Sequence, residues 1–134
     1  MESQRPRIGA AVLVEHNGTF LLGLRNKQNA YGTWVIPGGG VGWGETIQDA
    51  AVREIKEETN IDVDIVRFIC HKEIINLPGK YHSVVFYYLA KPKHTSIKAS
   101  DDISEARFFS IEEIKKLPIL DSVQWVLQEA GFWK

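Results

Sequence analysis

Sulfur is scarce in this chain: 134 residues include one cysteine and one methionine. A lone cysteine, Cys70, excludes an internal disulfide framework and suits a reducing compartment. It sits in an apolar run and reads as a small buried hydrophobe rather than a nucleophile. Charge of one sign is also lacking, since 16 Lys and Arg face 17 Asp and Glu for a net −1. That balance leaves no electrostatic footprint for duplex nucleic acid or an anionic membrane. Long apolar runs are missing as well. Ile8 to Val14 is too short for a membrane span and marginal for a signal peptide, so the cytoplasm is expected. His16, His71, His82 and His94 are scattered without zinc spacing. No lysine follows the glycines at 38–44, which excludes a P-loop. No linker, repeat or shift of composition appears. With 44% hydrophobic residues, residues 1–134 are expected to form one domain with a real core.

What is present is concentrated between Gly39 and Ile61, GGVGWGETIQDAAVREIKEETNI. The stretch opens as a glycine-dense loop able to approach a ligand closely. It then runs from Glu45 to Thr59 without Gly or Pro. Thr46, with Asp49 three residues on, predicts a helix N-cap, and Asn60 stands where a helix stop wants a residue tolerant of positive φ. At about 100° per residue, Glu54, Glu57 and Glu58 fall within about 80° of Ile47, on the side of Ala50, Ala51 and Ile55. Gln48, Asp49, Val52 and Lys56 take the other side. An EIKEE run is ordinarily a solvated face, but here the solvated face lies elsewhere. Three carboxylates at i, i+3 and i+4 repel one another, and Arg53 is expected to pair with only one of them. A hard divalent cation is the economical counter-charge. Mg²⁺ prefers carboxylate and water oxygens and commonly works with a phosphate substrate.

The remaining chain reads as strands joined by turns. Ile8–Glu15 and Thr19–Leu24 flank an Asn-Gly turn and predict a hairpin. Thr33–Ile36 is a short strand after a polar loop. Val63–Ile75 and Tyr81–Ala90 form a second hairpin around Pro78-Gly79. Ser104–Ser110 is a late strand, and Ser110 with Glu113 predicts a capping box for the helix that follows. A last helix covers Ser122–Ala130, with Val123, Val126 and Leu127 on one side. Strands outnumber helices, so a mixed sheet flanked by helices is expected.

Gly39, Glu45, Arg53-Glu54, Ile55, Glu57-Glu58 and Ile61, at these spacings, resemble the signature of the Nudix hydrolases. One position departs: the family's glycine near the end of its box is Asn60 here, itself suited to left-handed backbone. RIGAAVLV before the box and ARFFSIEEIKKLP after it resemble small MutT-like members. The resemblance implies an α+β class, an α/β/α sandwich with a mixed sheet between helices. It implies hydrolysis of a nucleoside diphosphate linked to a group X, with Mg²⁺ as cofactor and Mn²⁺ as a substitute. It places Glu54, Glu57, Glu58 and the Gly38 carbonyl at the metal. Arg53 would orient a glutamate, and Glu45 would support the site from behind. The general base would be a box glutamate such as Glu54, or Glu105 just inside the late strand, the preferred candidate. Asp101 and Asp102 have a weaker claim.

The substrate is then a small-molecule nucleotide. GKYHSVVFYYLAK and the compact size resemble members acting on nucleoside triphosphates, oxidised ones included, which is the preferred reading. ADP-ribose or a nucleotide sugar is the rival, with Pro78 near a family proline, although a hairpin turn explains that residue equally well. A non-catalytic nucleotide-binding module is the third reading, and loss of a box acid would be its sign. Arg25, Trp34 and His82 are candidate substrate contacts. Tyr31, Trp34, Trp43 and Phe86 are candidates to stack on a base, with core or loop packing as their ordinary explanation. A homodimer is left open.

Overall fold

The computed structural model of the chain describes residues 4–26 and 32–134; Tyr31 lies outside them. Strands β1 (Arg7–His16), β2 (Thr19–Arg25), β3 (Trp34–Val35) and β4 (Gly38–Gly40) precede helix α1 (Ile47–Thr59). Strands β5 (Val63–Asn76), β6 (Tyr81–Pro92) and β7 (Ile103–Ser110) follow, then helices α2 (Ile111–Ile114) and α3 (Asp121–Glu129). The strands make one mixed sheet in the order β3-β2-β1-β6-β5, with β4 added beside β1 and β7 beside β2. Among the described strands, β1 and β6 are the pair that runs parallel, Ile8 opposite Val84 and Val14 opposite Ala90.

Alternation along β1 and β2 sorts the core into two layers. Ala10, Val12, Val14 and Leu21 face Ala50, Ala51 and Ile55 of α1. Ala11, Leu13, Phe20 and Leu22 face Ile114 of α2 and Val123, Val126 and Leu127 of α3. Helix, sheet and helices therefore form the expected α/β/α sandwich, of α+β class.

The first predicted hairpin forms only at its base. Glu15 pairs with Phe20 and His16 with Thr19, and the strands then part. The reason lies in β4, in the glycine stretch expected to be loop. Gly38, Gly39 and Gly40 pair with Ala11, Ala10 and Gly9, and Val12 N–H donates to the Pro37 carbonyl at 3.1 Å. That edge of β1 is thereby occupied, and β2 pairs instead with β7 over nearly its whole length.

The caps of α1 are as the sequence predicts. The Asp49 N–H donates to Thr46 Oγ1 at 3.0 Å. Asn60 adopts φ 69° and its N–H donates to the Lys56 carbonyl. Its side-chain amide also donates to the Ser96 carbonyl at 2.9 Å, tying the 93–98 segment to the end of the helix. Asn60→Ala should therefore cost about 1–2 kcal/mol, from left-handed strain plus one lost hydrogen bond. Urea unfolding checks this, and an unchanged midpoint would mean that neither cap nor tether contributes. The predicted capping box also forms, Ser110 N–H donating to Glu113 Oε1 at 2.9 Å and Glu113 N–H to Ser110 Oγ at 3.2 Å.

Candidate active site

The site is built where β4 and the start of α1 meet. A Cβ on Gly38 would strike the Ala10 carbonyl and the Ala11 side chain, and one on Gly39 would land on the Glu54 carboxylate. Glycine at these two positions is what lets the strand lie against β1 while the helix lays a carboxylate directly over it.

Arg53 organises the acids, and does more than the helical wheel suggested. Its Nε and Nη2 donate to the two oxygens of Glu45 at 2.7 and 2.9 Å. Nη1 donates to Glu54 at 2.7 Å and to Glu57 at 3.3 Å, and Nη2 also reaches the Gly40 carbonyl at 3.0 Å. The expectation of one partner is thus corrected: a planar group with five N–H donors serves several acceptors at once, which an angle count along a helix does not register. Glu45 in turn accepts the Gly42 N–H at 3.0 Å. Arg53, then Gly42, hold the Glu45 carboxyl well down, at about 2. Its partners push the Arg53 guanidinium further up, so it stays charged throughout. Loop and helix are pinned together by this clamp.

Glu58 differs from its neighbours. It is 5% exposed, and its Oε1 has no hydrogen-bond partner among the described residues. Burial first, then the charges of Glu54 and Asp102, push its carboxyl up to about 8 against the opposing Gly38 N–H and Arg25. A buried carboxylate with an acceptor lone pair that no donor meets, and with acidic neighbours, is what a bound cation relieves. Among the described residues, however, no group of three such ligands already converges closely enough to hold an ion. Arg53 draws Glu54 and Glu57 towards itself. Mg²⁺ keeps several waters and often takes one or two carboxylates plus substrate phosphates, so a closed cage is not required. The donor set fits a hard divalent cation.

These groups line a cleft of about 750 Å³. Glu54, Glu57 and Glu58 line it with Gly38, Gly39 and Gly40, and Arg25, Asp101 and Asp102 belong to the same lining. Arg25 has a buried Nε without a partner among the described residues, which suits it to meet an anionic oxygen. Asp101 holds φ 58°, left-handed backbone that Asp tolerates better than most residues. Of the predicted contacts, Arg25 is in the cleft. Trp34 is not: it is 8% exposed and packs edge-on against Phe109, with ring centroids 4.8 Å apart. The expectation for Trp34 as a substrate contact is corrected accordingly: on the short edge strand β3 its large ring is buried as core against Phe109. Trp43 is wholly exposed, and Phe86 lies against Phe68 and His71. His82 lines a neighbouring groove.

Glu105 is set apart from the lining acids. It pairs with Leu24 in the β2–β7 ladder, and its carboxylate lies 3.5 Å from Arg107, whose guanidinium covers the Phe109 ring. Phe109 belongs to the layer with α2 and α3, whereas α1 packs on the other layer. Glu105 is thus brought together with Arg107 and not with the box. Ser83, Tyr87 and Ser122 also line the cleft, and Ser122 hydrogen-bonds Tyr87. None of them was singled out from the sequence. Ser83, 3% exposed in an apolar strand, carried a signal: a small polar residue at an inward position of the alternation.

Comparison with known proteins supplies the family. An ADP-ribose pyrophosphatase from Methanocaldococcus jannaschii is 29% identical over 127 residues, 90% of this chain and 75% of that protein. Nudix hydrolase 10 of Arabidopsis thaliana is 32% identical across 87% of this chain but only 41% of its own length. The crystal structure of a MutT NUDIX hydrolase from Burkholderia pseudomallei superposes with a TM-score of 0.86 at 25% identity, covering 93% of this chain and 98% of that one. The NUDIX domain family model matches residues 4–127, nearly the whole chain, and with the Arg53 clamp and the Glu54 carboxylate over a glycine strand it makes this chain a member of the Nudix family, hydrolases of phosphorus anhydrides.

Proposed function

We propose that the chain is a Mg²⁺-dependent pyrophosphohydrolase that cleaves a nucleoside diphosphate from, or within, its link to a group X. The observation that carries this is Glu58: a buried carboxylate with an unpartnered oxygen, beside two further acids in a cleft that also presents Arg25. Nudix hydrolases use divalent ions, and here Glu54, Glu57, Glu58 and the Gly38 carbonyl would hold one. When bound, the ion supplies neutralising charge at the bridging and leaving oxygens and a place for the attacking water. Arg25, in the same lining, meets a phosphate oxygen. Arg53 fixes the rotamer of Glu54, and Glu45 keeps Arg53 in place from behind. Glu54, aimed over Gly39 into the cleft, takes the proton of the attacking water. Glu105 remains the alternative base and would need to leave its ladder position to reach the cleft.

Two substrate classes have support. The β5–β6 hairpin and the compact size favour a nucleoside triphosphate, which would give the monophosphate and pyrophosphate. The archaeal relative is named an ADP-ribose pyrophosphatase, and this raises ADP-ribose at least level with the triphosphate. A panel of both classes with Mg²⁺, scoring pyrophosphate against phosphate monoesters, separates them. Activity is expected to vanish in EDTA and to return with Mg²⁺ or Mn²⁺. Undiminished turnover in chelator would defeat the metal reading, and no turnover on any substrate would favour a binding module.

A further inference from the structure

The acidic cleft is not the only concavity. A groove of about 790 Å³ runs between the segment entering β1 and the tip of the β5–β6 hairpin. It is lined by Gln4, Arg5, Arg7, Lys80, Tyr81 and His82 together with Pro6 and Leu77. Arg5, Arg7 and Lys80 are exposed and carry permanent positive charge at neutral pH. Among the described residues none of the three makes an ion pair, and no acid lines the groove with them. For a chain of net charge −1, such a grouping of unmatched cations is a local asymmetry that long-range averaging does not explain. His82, opposite Ile75 in the hairpin ladder, adds ring N–H donor capacity. Tyr81, 39% exposed, offers an aromatic face.

The groove and the cleft are joined. Arg7 and Tyr81 line both, so a molecule held at Glu54, Glu57 and Glu58 can continue past Arg7 without leaving the surface. The cleft is rich in acids and needs a metal to accept phosphate; the groove is rich in cations and does not. One extended ligand would then have its reacting diphosphate over the glutamates and further anionic charge among the arginines. Neither ADP-ribose, which carries two phosphates, nor an uncharged X would use the second half.

We propose that Arg5, Arg7, Lys80 and His82 form a distal phosphate subsite, which binds a phosphate lying beyond the cleaved diphosphate, with Tyr81 as a stacking face for a base attached to it. This rests on the hydrolase reading above and names the substrate feature that the reading leaves open. The shared chemistry is a further phosphate carrying a nucleoside; a dinucleoside polyphosphate and the 5′ end of a triphosphorylated oligonucleotide both present it.

Two measurements test it. The first avoids catalysis: inorganic pyrophosphate is titrated into the metal-free protein in EDTA at low salt, followed by amide chemical shifts. Without a metal the cleft repels anions, so shifts are expected at residues 5–7 and 80–82, and the double variant R5Q/K80Q should weaken binding on the order of tenfold. Equal binding by that variant, or shifts confined to the glycine strand, would overturn the subsite. The second compares kcat/KM for diadenosine tetraphosphate, a triphosphorylated oligonucleotide and ADP-ribose with Mg²⁺. In R5Q/K80Q the ratio of either extended substrate to ADP-ribose should fall about tenfold, carried by KM rather than kcat. Whichever extended substrate shows the fall identifies the source of the phosphate, and a constant ratio for both overturns the assignment. Turnover absent on all three with pyrophosphate binding intact would sink the hydrolase reading and the link to substrate, leaving only an anion-binding groove. Unfolding of the double variant is checked by its melting curve, and Lys80→Arg, which keeps the charge, should bind as wild type does.

Discussion

Glu58→Gln should lower kcat by a factor on the order of 10² or more and, in the same protein without metal, raise stability at alkaline pH. The first half follows because the removed charge is the buried one that would face a bound cation. The second half follows from linkage. Folding pushes the Glu58 carboxyl up from 4.5 to about 8, so the folded state holds its proton more tightly than the unfolded state. Below the unfolded value both states are protonated and Glu58 costs nothing. As pH climbs from there towards 8 the penalty grows, and above 8 it is fully present. Glutamine cannot ionise and escapes it. The melting-temperature difference, variant minus wild type, should be near zero at pH 5 and clearly positive by pH 9, worth on the order of 2–4 kcal/mol. A variant that melts lower at pH 9 would show that a basic partner such as Arg25 already balances the charge, making Glu58 structural. The same measurement in saturating Mg²⁺ should reverse the sign, since only wild type retains the full ligand set.

The second large effect separates the candidate bases. Glu54→Gln should lower Mg²⁺ affinity and kcat together, the latter by about 10²–10⁴, because one carboxylate serves both the ion and the proton. Glu105→Gln should leave kcat within about threefold of wild type, as less than about 0.7 kcal/mol of barrier is at stake. Its pH–rate profile should keep the acidic limb that reports ionisation of the base. If instead Glu105→Gln loses that limb and its kcat collapses with metal affinity normal, the β7 edge must open during turnover and the role passes to Glu105.

Much of this site could be read before any coordinates. Helix α1, both of its caps and the shared side of Glu54, Glu57 and Glu58 depend on local periodicity and capping, which a single stretch of sequence contains. What could not be read there depended on competition between distant segments. The Asn-Gly turn at 17–18 was right as a turn, yet nothing near it reveals that a glycine strand will claim the edge of β1. Glu105 sits at a family-like distance from the box, but which layer a strand residue faces depends on register, and register here is set by β2. Trp34 looked like a stacking ring because aromatic residues at sites and in cores share one composition. Arg53 was underestimated because a helical wheel carries angles and not the reach of a guanidinium.

The position of β1 also bears on how this enzyme comes into being. The strand begins at Arg7, yet its parallel neighbour β6 starts only at Tyr81. Parallel pairing between segments so far apart raises contact order and slows folding, since a long loop must close before any pairing rewards it. During synthesis the early strand has only its turn contact with β2 and the short glycine strand until more than half of the chain has emerged. The glycine strand that carries Glu54's seat leans on that same β1. Assembly of the catalytic centre is therefore a late event, coupled to completion of the sheet. A truncated or stalled chain that still contains every box residue should be inert, and recovery of turnover during refolding would time the closing of β1 onto β6.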